Sequence, residues 1–405
     1  MDPVLAIGII VIVGFIFGEI AIRLKLPKVT GYILAGIFLN PGIMSFMPHV
    51  AASRTNLIIN LALCFITFSI GGTLQYSRLK KLGKGIIWIT ICEAEFAFLA
   101  VVIGFLAITH FFISGPTIGW FSTYIPLSIL AGCIASPTDP TPALAITHEY
   151  NAKGNVTSTI MGVAASDDAL GIMNFSLAIV IAQSFATNAP FSLYSSIAVP
   201  LMIISGSLVM GALFGFLLNI VTKIVSKESE GVLIVVIFGL LSCCFGIADV
   251  LKCDALLATM VMGVVVVNFN PKQEKIFKVL ERYTEELIFL VFFTVSGMQL
   301  DFSVLPTAAI LIIFFVLFRG IGKVTGTICG AAIAKSSSNV KKYTAGGLIP
   351  YGGIVVGLAL LMKQNPAFTG FADIIVAVVI GATVISEVIG SVCVKIALKK
   401  AGEIK

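Results

Sequence analysis

The sequence predicts an all-α polytopic membrane protein with 13 transmembrane helices, built as two inverted six-helix repeats with two broken helices that cross. Three observations lead there. Of 405 residues, 58% are hydrophobic and only 11% charged, against about 25% charged in soluble domains. The apolar residues fall into runs close to the ~20 residues that a helix needs to cross a bilayer. The loops between runs alternate between strongly basic and almost free of basic side chains. No segment is long enough for a soluble catalytic or nucleotide-sensing domain, and the net charge of +6 reads as an orientation signal, with no nucleic-acid partner.

The runs lie near 3–22, 27–44, 55–76, 85–113, 124–147, 156–186, 195–223, 231–250, 254–269, 284–300, 304–334, 343–362 and 373–397. The first opens Met1-Asp2-Pro3, with no basic start and no small-residue cleavage site, and so is expected to be a retained helix. Glu19 and Arg23, one turn apart, read as an interfacial ion pair, and Gly31 and Gly36 let helices approach closely. Of the 26 Lys and Arg, 21 fall in one set of loops, including Lys25, Arg78, Lys81, Lys227 and Lys405, while the opposite set holds Arg54, Lys252 and Lys363. That asymmetry places the N-terminus outside and the C-terminus in the cytoplasm. The link 270–283 is expected to be a short amphipathic helix. The eight cysteines, without CxxC spacing, read as packing residues. His49 falls in an external loop, and His148-Glu149 is a candidate pH-sensing pair.

A repeat supports the inverted halves. Gly71-Gly-Thr-Leu-Gln-Tyr-Ser-Arg-Leu79 and Gly297-Met-Gln-Leu-Asp-Phe-Ser-Val-Leu305 share G-x-x-L-x-aromatic-S-x-L. They end runs separated by an odd number of spans, so equivalent segments have opposite orientation. Residues 1–188 then form the first repeat, 189–230 a linking helix and 231–405 the second repeat. The fifth and twelfth runs correspond, and both are interrupted: one by Pro137, Pro140 and Pro142, the other by Gly346 to Gly353, with Pro350 and Gly352. Paired interrupted helices mark the binding site of secondary transporters.

The chemistry concentrates in Cys133 to Pro142 and in Ala165-Ser-Asp-Asp-Ala-Leu-Gly171. An ionised carboxylate at mid-bilayer costs about 2.5–3.5 kcal/mol, so Asp139, Asp167 and Asp168 point to function. The prolines lack N–H groups and release the carbonyls of Cys133, Ser136 and Thr138. These oxygens, with the Thr138 hydroxyl and Asp139 carboxylate, suit an alkali cation; the plainer reading is a kinked helix with a hydrogen-bonded aspartate. Asp167 and Asp168 diverge by roughly 100° on a helix and so serve different partners. Arg319 and Lys323, deep in one span, are the candidate ion-pair and coupling residues, with a static salt bridge as the alternative. Of Glu93 and Glu95, one is a candidate to line the cavity; Glu387, the repeat counterpart of the Asp pair, reads as structural. Nothing calls for a cofactor or covalent chemistry, so the reading is a transporter and not an enzyme. A passive cation channel and an intramembrane aspartyl protease using Asp139 and Asp168 are the alternatives.

Thr138-Asp139 on a broken helix, Asp167-Asp168 on the next, Lys323, and a second break around Pro350 together resemble the cation:proton antiporter superfamily, in particular bacterial sodium/proton antiporters with an aspartate pair, of the NhaA and NapA type. The resemblance spans the chain from Leu26-Pro27 to Ser386-Glu-Val-Ile-Gly390. It implies a secondary antiporter in the cell (inner or plasma) membrane, exchanging protons for Na+ or Li+, with K+ as an alternative, and forming a homodimer in which a mobile core moves against a dimerisation domain. It implies that Asp168 alternately binds cation and proton, that Asp167 pairs with Lys323 until the cation enters, and that Thr138 and Asp139 shape the site. An aspartate pair with a lysine goes with electrogenic exchange. Pro-Thr-Asp-Pro also resembles the electroneutral branch, which leaves electroneutral Na+/H+ or K+/H+ exchange as the alternative.

Overall fold

The computed structural model describes residues 3–24, 26–44, 52–113, 118–187, 198–224 and 229–404. Lys25, His49, Lys227 and Lys405 lie outside the described residues, as do the side chains of Arg54, Arg78, Lys81 and His148. All regular structure among the described residues is helical. The order is α1 (Pro3–Arg23), α2 (Lys28–Phe38), α3 (Ala52–Thr73), α4 (Tyr76–Phe112), α5 (Ile125–Cys133), α6 (Thr141–Tyr150), α7 (Asn155–Ala164), α8 (Asp167–Ala186), α9 (Val199–Ile224), α10 (Glu230–Val250), α11 (Ala255–Phe269), α12 (Gln273–Leu280), α13 (Glu286–Met298), α14 (Leu305–Ile333), α15 (Ser338–Tyr343), α16 (Ile354–Lys363) and α17 (Ala372–Lys400).

Among the described residues, eight stretches are long and apolar enough to cross a membrane: Val4–Arg23, Asn56–Thr73, Gly83–Phe112, Asn155–Ala186, Leu201–Ile224, Glu230–Val250, Phe302–Ile333 and Ala372–Lys400. Each falls on a predicted run, and the protein is a multi-pass membrane protein. The remaining predicted runs become shorter or interrupted helices, for local reasons. The helix α2 stops short of Asn40-Pro41, and α5 stops before three prolines. Gly83, at φ +81°, breaks α4 where its amphipathic first turns give way to the apolar span. Only glycine takes that backbone region without strain. The predicted amphipathic link appears as α12, which buries Ile276, Val279 and Leu280.

The described chain divides into two compact units, Met1–Thr55 with Leu82–Ala189 and Leu290–Lys405, and Asn56–Lys81 with Pro190–Phe289. In the second unit α9 packs along α11, and α10 covers both. Phe68, Leu218, Ile237, Leu241 and Met262 form its buried core. The Thr67 and Thr259 hydroxyls meet at 2.7 Å, and the Asn270 amide donates to Asn219 at 2.8 Å and Thr222 at 2.9 Å, joining spans through polar contacts inside the apolar packing.

In the first unit α14 packs on α17, α5 on α8 and α1 on α2. The seam that positions the site runs between α4 and α14. Gly322, Gly326 and Gly330, one helical turn apart, press against the α4 backbone; a Cβ on Gly326 would lie 2.4 Å from the Cys92 carbonyl oxygen. Small residues at this spacing let two backbones come together. Lys323 and Glu93, beside those contacts, thereby face each other across the seam.

Candidate functional site

The helix α5 ends at Cys133, and the chain runs without helix from Pro137 through Asp139 before α6 begins at Thr141. Asp139 Oδ1 accepts the Thr141 N–H at 2.7 Å, a turn that starts α6 and supplies one of its unpaired donors. A second break lies opposite. A tight turn over Thr344–Leu348 gives way to Ile349-Pro350-Tyr351, and helix resumes at Ile354. The two breaks touch: a Cβ on Gly352 would stand 3.3 Å from Pro137 Cβ and 3.5 Å from the Thr138 carbonyl carbon.

Arg319 ties the breaks together. Its guanidinium donates to Ala135 O at 2.9 Å and Pro137 O at 2.8 Å on one side, and to Ile349 O at 2.7 Å and Pro350 O at 3.1 Å on the other. The group lies 4.5 Å from the centre of the Tyr351 ring, and the Tyr351 hydroxyl donates to Ile134 O at 2.7 Å. Unwound backbone at this depth needs partners for its carbonyls, and a planar fork with five donors supplies them.

One turn further along α14, Lys323 collects oxygens from three elements. It donates to Ser136 O and, at 2.8 Å, to Thr138 Oγ1. Its ammonium lies 2.5 Å from Glu93 Oε2 on α4 and 3.3 Å from Asp167 Oδ2 on α8. Lys323, Glu93 and Asp167 are fully buried. Removing any one partner from such a cluster leaves an uncompensated buried charge.

The aspartate pair occupies the first turn of α8, because the helical run breaks at Ala165-Ser166, after α7. A helix N-terminus favours negative charge. The two side chains diverge: Asp167 meets Lys323, while Asp168, only partly buried, turns toward Gly352 and the breaks, with Oδ1 3.4 Å from where a Cβ on that glycine would be. Asp168 Oδ1 accepts no hydrogen bond from the protein, nor does Asp167 Oδ1. On α17, buried Glu387 adjoins Asp139. Five carboxyl groups thus face two basic side chains, Arg319 and Lys323, inside the first unit. Protons or cations must balance the difference, since unpaired charge is costly at this depth.

A model of the family described as sodium/hydrogen exchanger, transmembrane, matches residues 7–400, nearly the whole chain. The chain belongs to the sodium/hydrogen exchanger family. It is a member of the cation:proton antiporter superfamily, and so a transporter. The exchanger is 23% identical over 394 residues to a Na(+)/H(+) antiporter of Enterococcus hirae, covering 94% of this chain and 95% of that protein. It is 21% identical over 346 residues to cation/H(+) antiporter 19 of Arabidopsis thaliana, covering 82% of this chain and 42% of that longer protein. Its fold is similar to the sodium proton antiporter MjNhaP1 from Methanocaldococcus jannaschii at pH 8, with a TM-score of 0.76, 19% identity, and 99% of both chains covered.

Within the exchanger, Thr138, Asp167, Asp168, Lys323 and Pro350 converge around the two breaks. Asp139 accepts the Thr141 N–H and adjoins Glu387. Arg319 was a candidate ion-pair residue; its guanidinium goes to four backbone carbonyls, those of Ala135, Pro137, Ile349 and Pro350, in the unwound segments. Among the described residues no three His, Cys, Asp or Glu side chains converge as ligands of one metal ion. Two site residues carried little signal in the sequence. Glu93 was one of two acids on different faces of its span, and only the glycine seam on α14 hinted at which one meets Lys323. Tyr351, within the second break, had no partner that a linear pattern could name. The eight cysteines are free thiols.

Proposed function

We propose that the exchanger is a secondary active antiporter of protons against a monovalent cation, Na+ or Li+ foremost, working by alternating access with both ions competing for Asp167 and Asp168, and that exchange is electrogenic. The observation that carries this is the arrangement around Lys323: an ammonium held between buried Glu93 and Asp167, next to Asp168, whose Oδ1 has no protein donor. Asp168 is the residue that alternately takes cation and proton. Asp167 leaves Lys323 as the cation arrives, and Lys323 keeps Glu93 as its counter-ion. Thr138 and the carbonyls of the breaks supply neutral oxygens, while Asp139 shapes the first break through its turn onto α6. Pro137, Pro140, Pro350 and Gly352 keep both segments unwound, and Pro142 sits in the first turn of α6, where no N–H is needed. No covalent step or cofactor is involved.

Competition is sufficient for coupling. If proton and cation exclude each other from one carboxylate pair, and that pair faces one side of the membrane at a time, a gradient of either drives the other uphill.

Thirteen spans in two inverted repeats, 1–188 and 231–405 joined by 189–230, account for the architecture in this reading. Glycine contacts support it. The pairs α2 with α13, where a Cβ on Gly36 would strike the Thr294 carbonyl oxygen, and α3 with α11, where a Cβ on Gly71 would strike the Met260 carbonyl oxygen, exchange with each other under the same pairing that relates the fifth and twelfth runs. The exchanger then lies in the cell membrane with its N-terminus outside and C-terminus cytoplasmic, as a homodimer.

The deciding experiment records internal pH in proteoliposomes as Na+, Li+ or K+ is added at two clamped potentials. A cation-dependent pH change that alters with potential is expected. A change indifferent to potential would move the exchanger to the electroneutral reading, with Lys323 structural. Absence of proton movement on adding any of the three cations would overturn antiport in favour of a passive cation channel.

A further inference from the structure

Beyond the exchange site, the chain leaves α17 through Gly402, at φ +76°. The Glu403 N–H returns to Leu398 O at 3.0 Å. This turn delivers the Glu403 carboxylate to the start of α7, where Oε1 accepts the Val156 N–H at 2.8 Å and Oε2 accepts the Thr157 N–H at 2.8 Å and hydroxyl at 2.7 Å. The residue ahead of α7, Gly154, provides no side-chain cap, and a Cβ there would lie 2.1 Å from Glu403 Cδ. Ile404 follows into a buried cluster with Val156, Ile160 and Leu398. A helix start is thus capped from a point 246 residues away.

The helix α7 matters because of what lies at its other end. It stops at Ala164, immediately ahead of Asp167-Asp168, and its Ile160 packs where a Cβ on Gly347 would stand, in the turn leading to Pro350. The geometry points to Glu403 as a positioning residue for exchange: the segment after α17 latches α7 in place and so holds the aspartate pair in register with both helix breaks. This rests on the antiport reading through Asp168.

The test measures exchange against cation concentration for Glu403→Ala, Glu403→Ala with Gly154→Asp, and Asp168→Asn, each also followed by thermal unfolding in detergent. Gly154 has φ 168°, extended backbone open to any residue, and an aspartate there caps Val156 and Thr157 locally once the Glu403 side chain is gone. The latch predicts that Glu403→Ala raises the half-saturating cation concentration several-fold with a smaller change in maximal rate, and that adding Gly154→Asp returns thermal stability without returning affinity. If Glu403→Ala fails to fold, the double variant carries the test. Unchanged affinity in Glu403→Ala, or full affinity in the double variant, overturns the latch and leaves Glu403 as no more than a helix cap. Wild-type exchange in Asp168→Asn would instead overturn the antiport reading on which it stands.

Discussion

Lys323 contacts two carboxylates at once, Glu93 at 2.5 Å and Asp167 at 3.3 Å, with all three side chains fully buried. Truncating it strands both, so Lys323→Ala is expected to lose about 3–5 kcal/mol of stability. Adding Glu93→Gln removes one stranded charge and recovers part of that loss, and a double-mutant cycle on detergent melting reads the coupling. In liposomes Lys323→Ala is expected to retain some exchange and to lose its response to potential; full voltage sensitivity in that variant would show that Lys323 takes no part in charge movement. Asp168→Asn removes the competing carboxylate and is expected to abolish cation-dependent proton movement, checked with the same dye. Asp168 and Lys323 stood out in the sequence as charges where apolar residues belong, which is why they could be suspected before any contact was visible. Glu93 was not distinguishable from Glu95 in that way, since both are charges in one span and only the face of the helix separates them.

Helix breaks are held by one guanidinium and brought into place by one glycine seam. Arg319 satisfies two carbonyls in each break. Arg319→Lys keeps the charge but cannot reach both sides, and each abandoned charge-assisted bond costs about 1.5–3 kcal/mol; a lowered melting temperature with impaired exchange is the expected result. At Gly326 a Cβ would sit 2.4 Å from the Cys92 carbonyl oxygen, a backbone atom with no room to yield. Gly326→Leu therefore forces α4 from α14 at a cost of about 1–3 kcal/mol or more, and it also parts Glu93 from Lys323. Exchange should fall further in this variant than in Gly320→Leu, where nothing lies within 4 Å of the added Cβ.

Across the whole molecule, the basic residues of one loop set fix the expected orientation. A reporter fused after residue 405 should be active only in the cytoplasm, and one fused ahead of residue 1 only outside. The eight long apolar stretches were legible because length and hydropathy alone define them. The interruption at Ala165-Ser166 was not, since no proline or glycine marks it and the surrounding apolar run is continuous.

By itself the sequence determined the membrane class, the place of the long apolar runs, the two proline- and glycine-broken segments, and the titratable residues worth suspecting; each of these is a local property, written in composition, period or the absence of an N–H group. The tertiary structure decided which oxygens meet which cations. Arg319 goes to carbonyls and not to an aspartate, Asp139 takes the N–H that starts a helix, and Glu93 makes the closer of the two carboxylate contacts to Lys323, because those outcomes depend on how closely α14 lies against α4 and the two breaks. Pairing across a bundle is set by the faces helices present to one another, and those are fixed only when all of them pack together.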